Sequence, residues 1–250
     1  MSSRIHKPKR TLAIGDIHGC SVAFDALIRA IQLQPNDQIV TLGDYVDRGP
    51  DSKGILDRLI DLHDRGQLIA LRGNHEILML RSRSLGWNAW YHWQASGGEE
   101  TMASYGHHGG YKWINSIPDK HWYFLEKVCR NWWENRSDFF VHANVYPNLP
   151  LNKQPERMLF WQPFDHPSPH YSGKTMVCGH TTQKTGQPLS IGHAICIDTW
   201  VCGQGWLTCL DVNSGRIWQA NQKGEKQTGW IDDFEIPYVP IRLRMRLNRR

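Results

Sequence analysis

One alternation near the start of this 250-residue chain limits its fold more than any other feature. TLAI (Thr11–Ile14), QIVTL (Gln38–Leu42) and QLIAL (Gln67–Leu71) are short apolar runs, each stopping at or just before a glycine. Two stretches of helical periodicity separate them. The first has Ser21 as its expected cap and Leu27, Ile28 and Ile31 on one face; the second carries Ile55, Leu56, Leu59, Ile60 and Leu62. Strand, helix, strand, helix, strand is the pattern of right-handed crossovers, which place strands parallel in a sheet covered on both faces.

The stretch from Ile77 to Val128 reads mostly helical and holds Trp87, Trp90, Trp93, Trp113 and Trp122, expected as core or helix-packing residues. Further apolar runs follow: DFFVH (Asp138–His142), KTMVC (Lys174–Cys178) and AICID (Ala194–Asp198). WLTCLDVNSGRIWQA (Trp206–Ala220) carries a hairpin signal around Asn213-Ser214-Gly215. A second, more antiparallel sheet is expected. The fold class is therefore α/β, with layered mixed β-sheets flanked by helices after a βαβαβ start.

Composition supports a folded body. Hydrophobic residues make up 40% and charged ones 21%, and mean hydropathy is -0.53. No apolar run reaches the length of a membrane span, and MSSRIHKPKR lacks the apolar stretch of a secretory signal. Six cysteines are too sparse for a disulfide scaffold, so a cytoplasmic location is expected. Net charge is +5, but nine basic residues sit at the ends: Arg4, Lys7, Lys9 and Arg10, then Arg242, Arg244, Arg246, Arg249 and Arg250. Removing these nine from 29 leaves 20 basic against 24 acidic residues, a balance of -4 for the body. The expected organisation is a basic tail at 1–10, one catalytic domain at 11–240 and a basic strand or tail at 241–250. A nucleic-acid-binding module would need a basic patch on the body, and neither nucleic acid nor membrane is expected as a partner.

Five apolar runs end at, or just before, metal- or phosphate-binding residue types. They supply Asp16 and His18; Asp44, Asp47 and Arg48; Arg72, Asn74, His75 and Glu76; His142; and His180. In open α/β sheets ligands bind beyond the carboxyl ends of the strands, so these residues can converge. Two Asp, one Asn and three His are oxygen and nitrogen donors without a thiolate, which suits Mn, Fe or Zn. Asp44 has two oxygens and could bridge two ions. Such a pair activates water and clamps an in-line displacement. Arg48 and Arg72 offer planar forks for phosphoryl oxygens, and His75 could protonate a leaving oxygen. Together the set reads as metal-assisted phosphoester hydrolysis.

Gly15-Asp16-Ile17-His18-Gly19, Gly43-Asp44-Tyr45-Val46-Asp47-Arg48-Gly49 and Arg72-Gly73-Asn74-His75-Glu76 resemble the three signature motifs of the metal-dependent phosphoprotein phosphatases, within the calcineurin-like metallophosphoesterases. The 23-residue gaps, Gly19 to Gly43 and Gly49 to Gly73, are similar to the family's spacing. Val141-His142-Ala143 and Cys178-Gly179-His180-Thr181 resemble its later histidine motifs. Gly97-Gly98 through Ser104-Tyr105-Gly106 resembles the small bacterial and phage enzymes of the bacteriophage lambda phosphatase type. The resemblance implies that Asp16, His18 and Asp44 hold one metal ion, and that Asp44, Asn74, His142 and His180 hold the other. It implies two divalent ions, with Mn2+ expected, and a metal-bridging hydroxide as nucleophile. His75 would be the general acid oriented by Asp47, and Arg48, Arg72 and Asn74 would bind the substrate phosphate. The arginine that the small enzymes place after a tryptophan is missing: Trp161 is followed by Gln162, Pro163 and Phe164.

Two substrate classes compete on this scaffold. The expected activity is hydrolysis of phosphoserine and phosphothreonine proteins, extending to phosphotyrosine and small phosphoesters. The alternative is symmetrical cleavage of dinucleoside polyphosphates. The Asp47-Arg48 pair is the feature that favours the first.

Overall fold

The computed structural model describes residues 10–107 and 111–238. The two basic tails, apart from Arg10, lie outside the described residues. The expected βαβαβ start is present: β1 (Thr11–Ile14), α1 (Ser21–Ile31), β2 (Gln38–Thr41), α2 (Ser52–Asp64) and β3 (Leu68–Ala70). α2 is capped by Asp51, whose side chain accepts the Gly54 N–H at 2.9 Å. α1 departs from expectation. Ser21 is its first residue rather than its cap, and Cys20 at the cap position makes no side-chain capping bond. The helix is held instead by its buried face, Ala23, Phe24, Ala26, Leu27 and Ile31.

The middle is helical in short pieces: α3 (Asn74–Ser84), α4 (Trp87–Trp93), a π-helical turn (Gln94–Gly98), α5 (Glu99–Ser104), α6 (Asp119–Tyr123) and a second π turn (Phe124–Val128). Its tryptophans are largely core, as expected. Trp93, Trp113 and Trp122 are buried and pack in series, with ring centroids 4.5 and 5.8 Å apart. Trp87 is the exception and is exposed.

The remaining strands and α-helix are β4 (Trp132–Glu134), β5 (Asp138–Val141), α7 (Glu156–Trp161), β6 (Thr175–Cys178), β7 (Leu189–Ser190), β8 (Ala194–Cys196), β9 (Leu207–Asp211), β10 (Arg216–Ala220) and β11 (Lys226–Trp230). One sheet runs β11-β10-β9-β1-β2-β3 and the other β4-β5-β6-β8-β7. The expected hairpin is β9–β10, but it extends the first sheet, where β9 pairs antiparallel with β1. The second sheet is parallel through β5, β6 and β8 and antiparallel only at its edges. The expectation of a more antiparallel second sheet is thus corrected. The reason lies in the connections, since long crossovers link β5 to β6 and β6 to β8.

Ala13, Val40, Leu42 and Leu71 from the first sheet meet Phe140, Val177, Ile195 and Ile197 from the second in one buried cluster. The sheets thus pack face to face as a sandwich. The C-terminal ends of β1, β2, β3, β5 and β6 carry the residues singled out above.

Candidate active site

Asp44 is the centre of the arrangement. Its Oδ2 lies 3.6 Å from His18 Nε2 and 4.0 Å from His75 Nε2, and its Oδ1 lies 3.5 Å from His142 Nε2. Asn74 Oδ1 is 2.8 Å from His142 Nε2 and 3.1 Å from His180 Nδ1. Among the described residues, two donor groups could hold a cation: His18, Asp44 and His75, and Asp44, His142 and His180. Asp44 belongs to both.

The histidine rings are aimed by backbone carbonyls. His18 Nδ1 lies 2.9 Å from the Val46 carbonyl, and His142 Nδ1 lies 2.9 Å from that of Leu42. With Nδ1–H donating there, each Nε2 lone pair faces Asp44, as a ligating imidazole requires. The backbone is strained around them. His18, Asp44, Asp47, Arg48 and His180 all have positive φ, between 46° and 72°. Gly73 permits the approach of strand ends, since a Cβ there would lie 2.1 Å from Asp44 Oδ1.

Asp16 is 3% exposed, and both its oxygens lie 3.1 Å from the His180 backbone N–H. In this arrangement His75 completes the donor group with His18 and Asp44. Burial, then Asp198 and Asp44, pushes the Asp16 carboxyl well up. Burial also opposes ionisation of Asp44, but His142, His75, His18 and His180 outweigh it and hold its carboxyl below the ordinary range. Burial, then His75, lowers His18 to about 3; burial, then His142, lowers His180 to about 4. Neutral imidazoles around clustered buried carboxylates make a donor set of the kind that divalent cations neutralise. The residues fit a pair of such ions.

His75 is set apart by its partner. Its Nδ1 lies 2.7 Å from Asp47 Oδ2, and both side chains are buried. Burial alone would lower His75, but Asp44 and Asp47 outweigh it and raise its pKa. Arg48 reaches the cluster, with Nη1 3.0 Å from His18 Nε2.

Arg72 is engaged by backbone carbonyls. Its Nη2 donates to the carbonyls of Leu125, Glu126 and Cys129 at 2.9, 3.0 and 3.2 Å, and Nε donates to that of Leu125 at 3.1 Å. The end of the second π turn leaves these carbonyls open, and a guanidinium fork satisfies several at once. Arg72 also lines a cleft of about 680 Å³ along α3, with Ile77, Arg81, Arg83, Asn131 and Phe160. Arg157 is exposed on α7.

Two residues at the site are given no role by the sequence. Glu76, fully buried, accepts the backbone N–H groups of Asp44 (2.8 Å), Tyr45 (2.7 Å) and Gly73 (2.7 Å), tying the second motif to the third. Burial, then Asp44, raises its carboxyl to about 7. Asp198 follows β8, accepts the Thr182 hydroxyl at 2.7 Å and adds to the carboxylate cluster. Its signal was present: AICID also ends an apolar run in an acid. Burial pushes the Cys20 thiol, next to the first motif, up to about 12.

Residues 9–187 match the family model described as calcineurin-like phosphoesterase. The chain belongs to this family of metallophosphoesterases. One similar protein is the symmetrical bis(5'-nucleosyl)-tetraphosphatase of Acidovorax sp. (strain JS42), 44% identical over 68 residues, 27% of this chain and 24% of that one. Another is serine/threonine-protein phosphatase 1 of Salmonella typhimurium, 40% identical over 72 residues, 28% of this chain and 32% of that one. The matches thus span about a quarter to a third of these relatives. Among solved structures, a candidate diadenosine tetraphosphatase superposes with a TM-score of 0.62 at 22% identity, covering 90% of this chain and 96% of that one. A cold-active protein-tyrosine phosphatase of a psychrophilic Shewanella gives 0.61 at 16% identity, covering 88% and 80%. The fold is that of the metallophosphoesterases, two mixed sheets flanked by helices. No described helix is long and apolar enough to cross a membrane.

Proposed function

We propose that this chain is a two-metal phosphoester hydrolase that cleaves dinucleoside polyphosphates symmetrically. The observation that carries the two-metal reading is Asp44, shared by two donor groups at converging strand ends. Asp16, His18 and Asp44 on one side, and Asp44, Asn74, His142 and His180 on the other, would hold the ions. When bound, Mn2+ or a similar divalent pair supplies charge neutralisation of the phosphoryl group and a lowered pKa for water.

The chain's own residues do the rest. Arg48 takes up phosphoryl oxygens. As water adds to phosphorus and gives up a proton to solvent, the bond to the leaving oxygen breaks, that oxygen takes the Nε2 proton of His75, and His75 is reprotonated from solvent. Asp47 holds Nδ1–H and so fixes which nitrogen faces the substrate.

The nucleotide reading moves ahead of the protein-phosphatase reading because several of the similar proteins bear the symmetrical tetraphosphatase name. The second reading, serine/threonine (and tyrosine) phosphatase, is favoured by the Asp47-Arg48 pair and by the Salmonella relative. Six free cysteines support a reducing, cytoplasmic setting for either.

A panel with Mn2+ separates the two: diadenosine tetraphosphate against phosphoserine, phosphothreonine and phosphotyrosine peptides. Two ADP per tetraphosphate, at a higher kcat/KM than any peptide, is the expected result. Faster peptide turnover would move the chain to the second reading.

A further inference from the structure

We propose that Trp93 and Thr101 are positioning residues for the proton donor: they fix the Asp47 carboxylate and, through it, the His75 ring. The inference rests on the phosphoester-hydrolase reading. It adds residues 46 and 54 positions beyond Asp47, from the tryptophan-rich helical stretch.

Asp47 has no exposed surface, so its oxygens depend on protein donors. Oδ1 accepts the Thr101 hydroxyl at 2.7 Å and the Trp93 indole N–H at 3.0 Å. Oδ2 accepts the same indole at 3.1 Å and pairs with His75 Nδ1 at 2.7 Å. A carboxylate held by His75 alone could turn about its own bond. Three donors fix its plane, and with it the tilt of the imidazole. Thr101 also accepts the Asp47 backbone N–H at 2.8 Å, and the Ser52 hydroxyl lies 2.9 Å from its own. The threonine hydroxyl is thus fully used on this one loop.

The segment's shape serves the same end. On an uninterrupted α-helix, residues 93 and 101 would stand about 12 Å apart along the axis. The π turn between them breaks at Gly97, whose φ is 107°. Both donors then reach one oxygen. The Gly97 carbonyl accepts the Arg48 N–H at 3.0 Å, and a Cβ on Gly97 would lie 2.8 Å from Arg48 Cγ. The break therefore clamps both residues of the Asp47-Arg48 pair. π turns are frequent at functional sites. Trp93 also stacks on Trp113, but packing explains the ring and not the aim of its N–H.

The test uses the full chain loaded with Mn2+ and three variants, Thr101→Val, Thr101→Ser and Trp93→Phe, with His75→Asn as a control. kcat and KM are measured on p-nitrophenyl phosphate, which has a good leaving group, and on phenyl phosphate, which has a poor one. Metal content and thermal unfolding are measured alongside. For Thr101→Val and Trp93→Phe, kcat on phenyl phosphate should fall about 10-fold. The loss on p-nitrophenyl phosphate should be smaller, with KM and metal content held. Thr101→Ser should restore the rate. Equal losses on both substrates, metal loss that accounts for the fall, or failure of serine to restore the rate would overturn the proposal. If Trp93→Phe does not fold, the two Thr101 variants decide it. If His75→Asn shows the leaving-group dependence and Thr101→Val does not, only this inference fails. A His75→Asn enzyme at the wild-type rate would remove the proton-donor reading, and this inference with it.

Discussion

His75 Nδ1 lies 2.7 Å from Asp47 Oδ2, with both side chains sealed from solvent. This pair separates His75 from the other histidines of the cluster. His18 and His142 rest Nδ1 on backbone carbonyls and have lowered pKa values, whereas His75 rests on a carboxylate and is raised. The pairing supports the proposed role of His75 as the proton carrier among ligand-type imidazoles.

A His75→Asn variant should therefore keep its metal and lose rate by about 10²- to 10⁴-fold on a substrate with a poor leaving group. Metal analysis beside steady-state kinetics checks this. Loss of metal in step with the rate would make His75 a ligand instead.

Glu76 is predicted to matter for folding rather than turnover chemistry. Glu76→Ala strips the acceptor from the N–H groups of Asp44, Tyr45 and Gly73, all buried. Unsatisfied buried groups cost on the order of 1–3 kcal/mol each, with incomplete additivity, so about 3 kcal/mol of stability should be lost. Urea unfolding of the metal-free chain measures it. A loss under about 0.5 kcal/mol would contradict the role.

Arg72→Ala and Arg48→Ala should part company. Arg72 is engaged by carbonyls of the second π turn, so its removal should lower the unfolding temperature and change the KM for p-nitrophenyl phosphate less than about 3-fold. Arg48 stands at the cluster, so its removal should raise KM about 10-fold or more at unchanged stability. A KM effect without a stability effect at Arg72 would return it to the phosphate.

Acid sensitivity should have an identifiable source away from the site. Burial opposes ionisation of Asp37, but the Arg10 fork and the Gln34 N–H outweigh it and lower its pKa. A carboxyl lowered in the folded state stabilises above its unfolded pKa of about 3.9 and loses that contribution as pH falls below it. The stability gap between wild type and Asp37→Asn should be full at pH 6 and shrink from pH 4 downward. A gap independent of pH would contradict the ion pair.

The strand ends were legible because each motif is contiguous. An apolar run stops and a candidate ligand follows within a few residues, in most cases beside a glycine. Asp16, His18, Asp44, Asn74, His142 and His180 could be named from that rule. The roles of Trp93 and Thr101 could not, because their bonds to Asp47 span 46 and 54 residues and depend on a break at Gly97. The bonds of Arg72 could not be read for a related reason: the carbonyls of Leu125 to Cys129 that it meets lie more than 50 residues away and look like any helix end. The β9–β10 hairpin was readable from its turn, but the sheet it joins depends on pairing with β1, and no local pattern encodes that.

Asp44 stands between the two proposed metal positions. Mn2+ titration of chelator-treated protein by calorimetry, with activity followed in parallel, tests it most directly. Two ions per chain should bind, activity should track the second, and Asp44→Asn should abolish both high-affinity binding and turnover. Full activity in excess EDTA, or saturation at one ion with full turnover, would contradict the account.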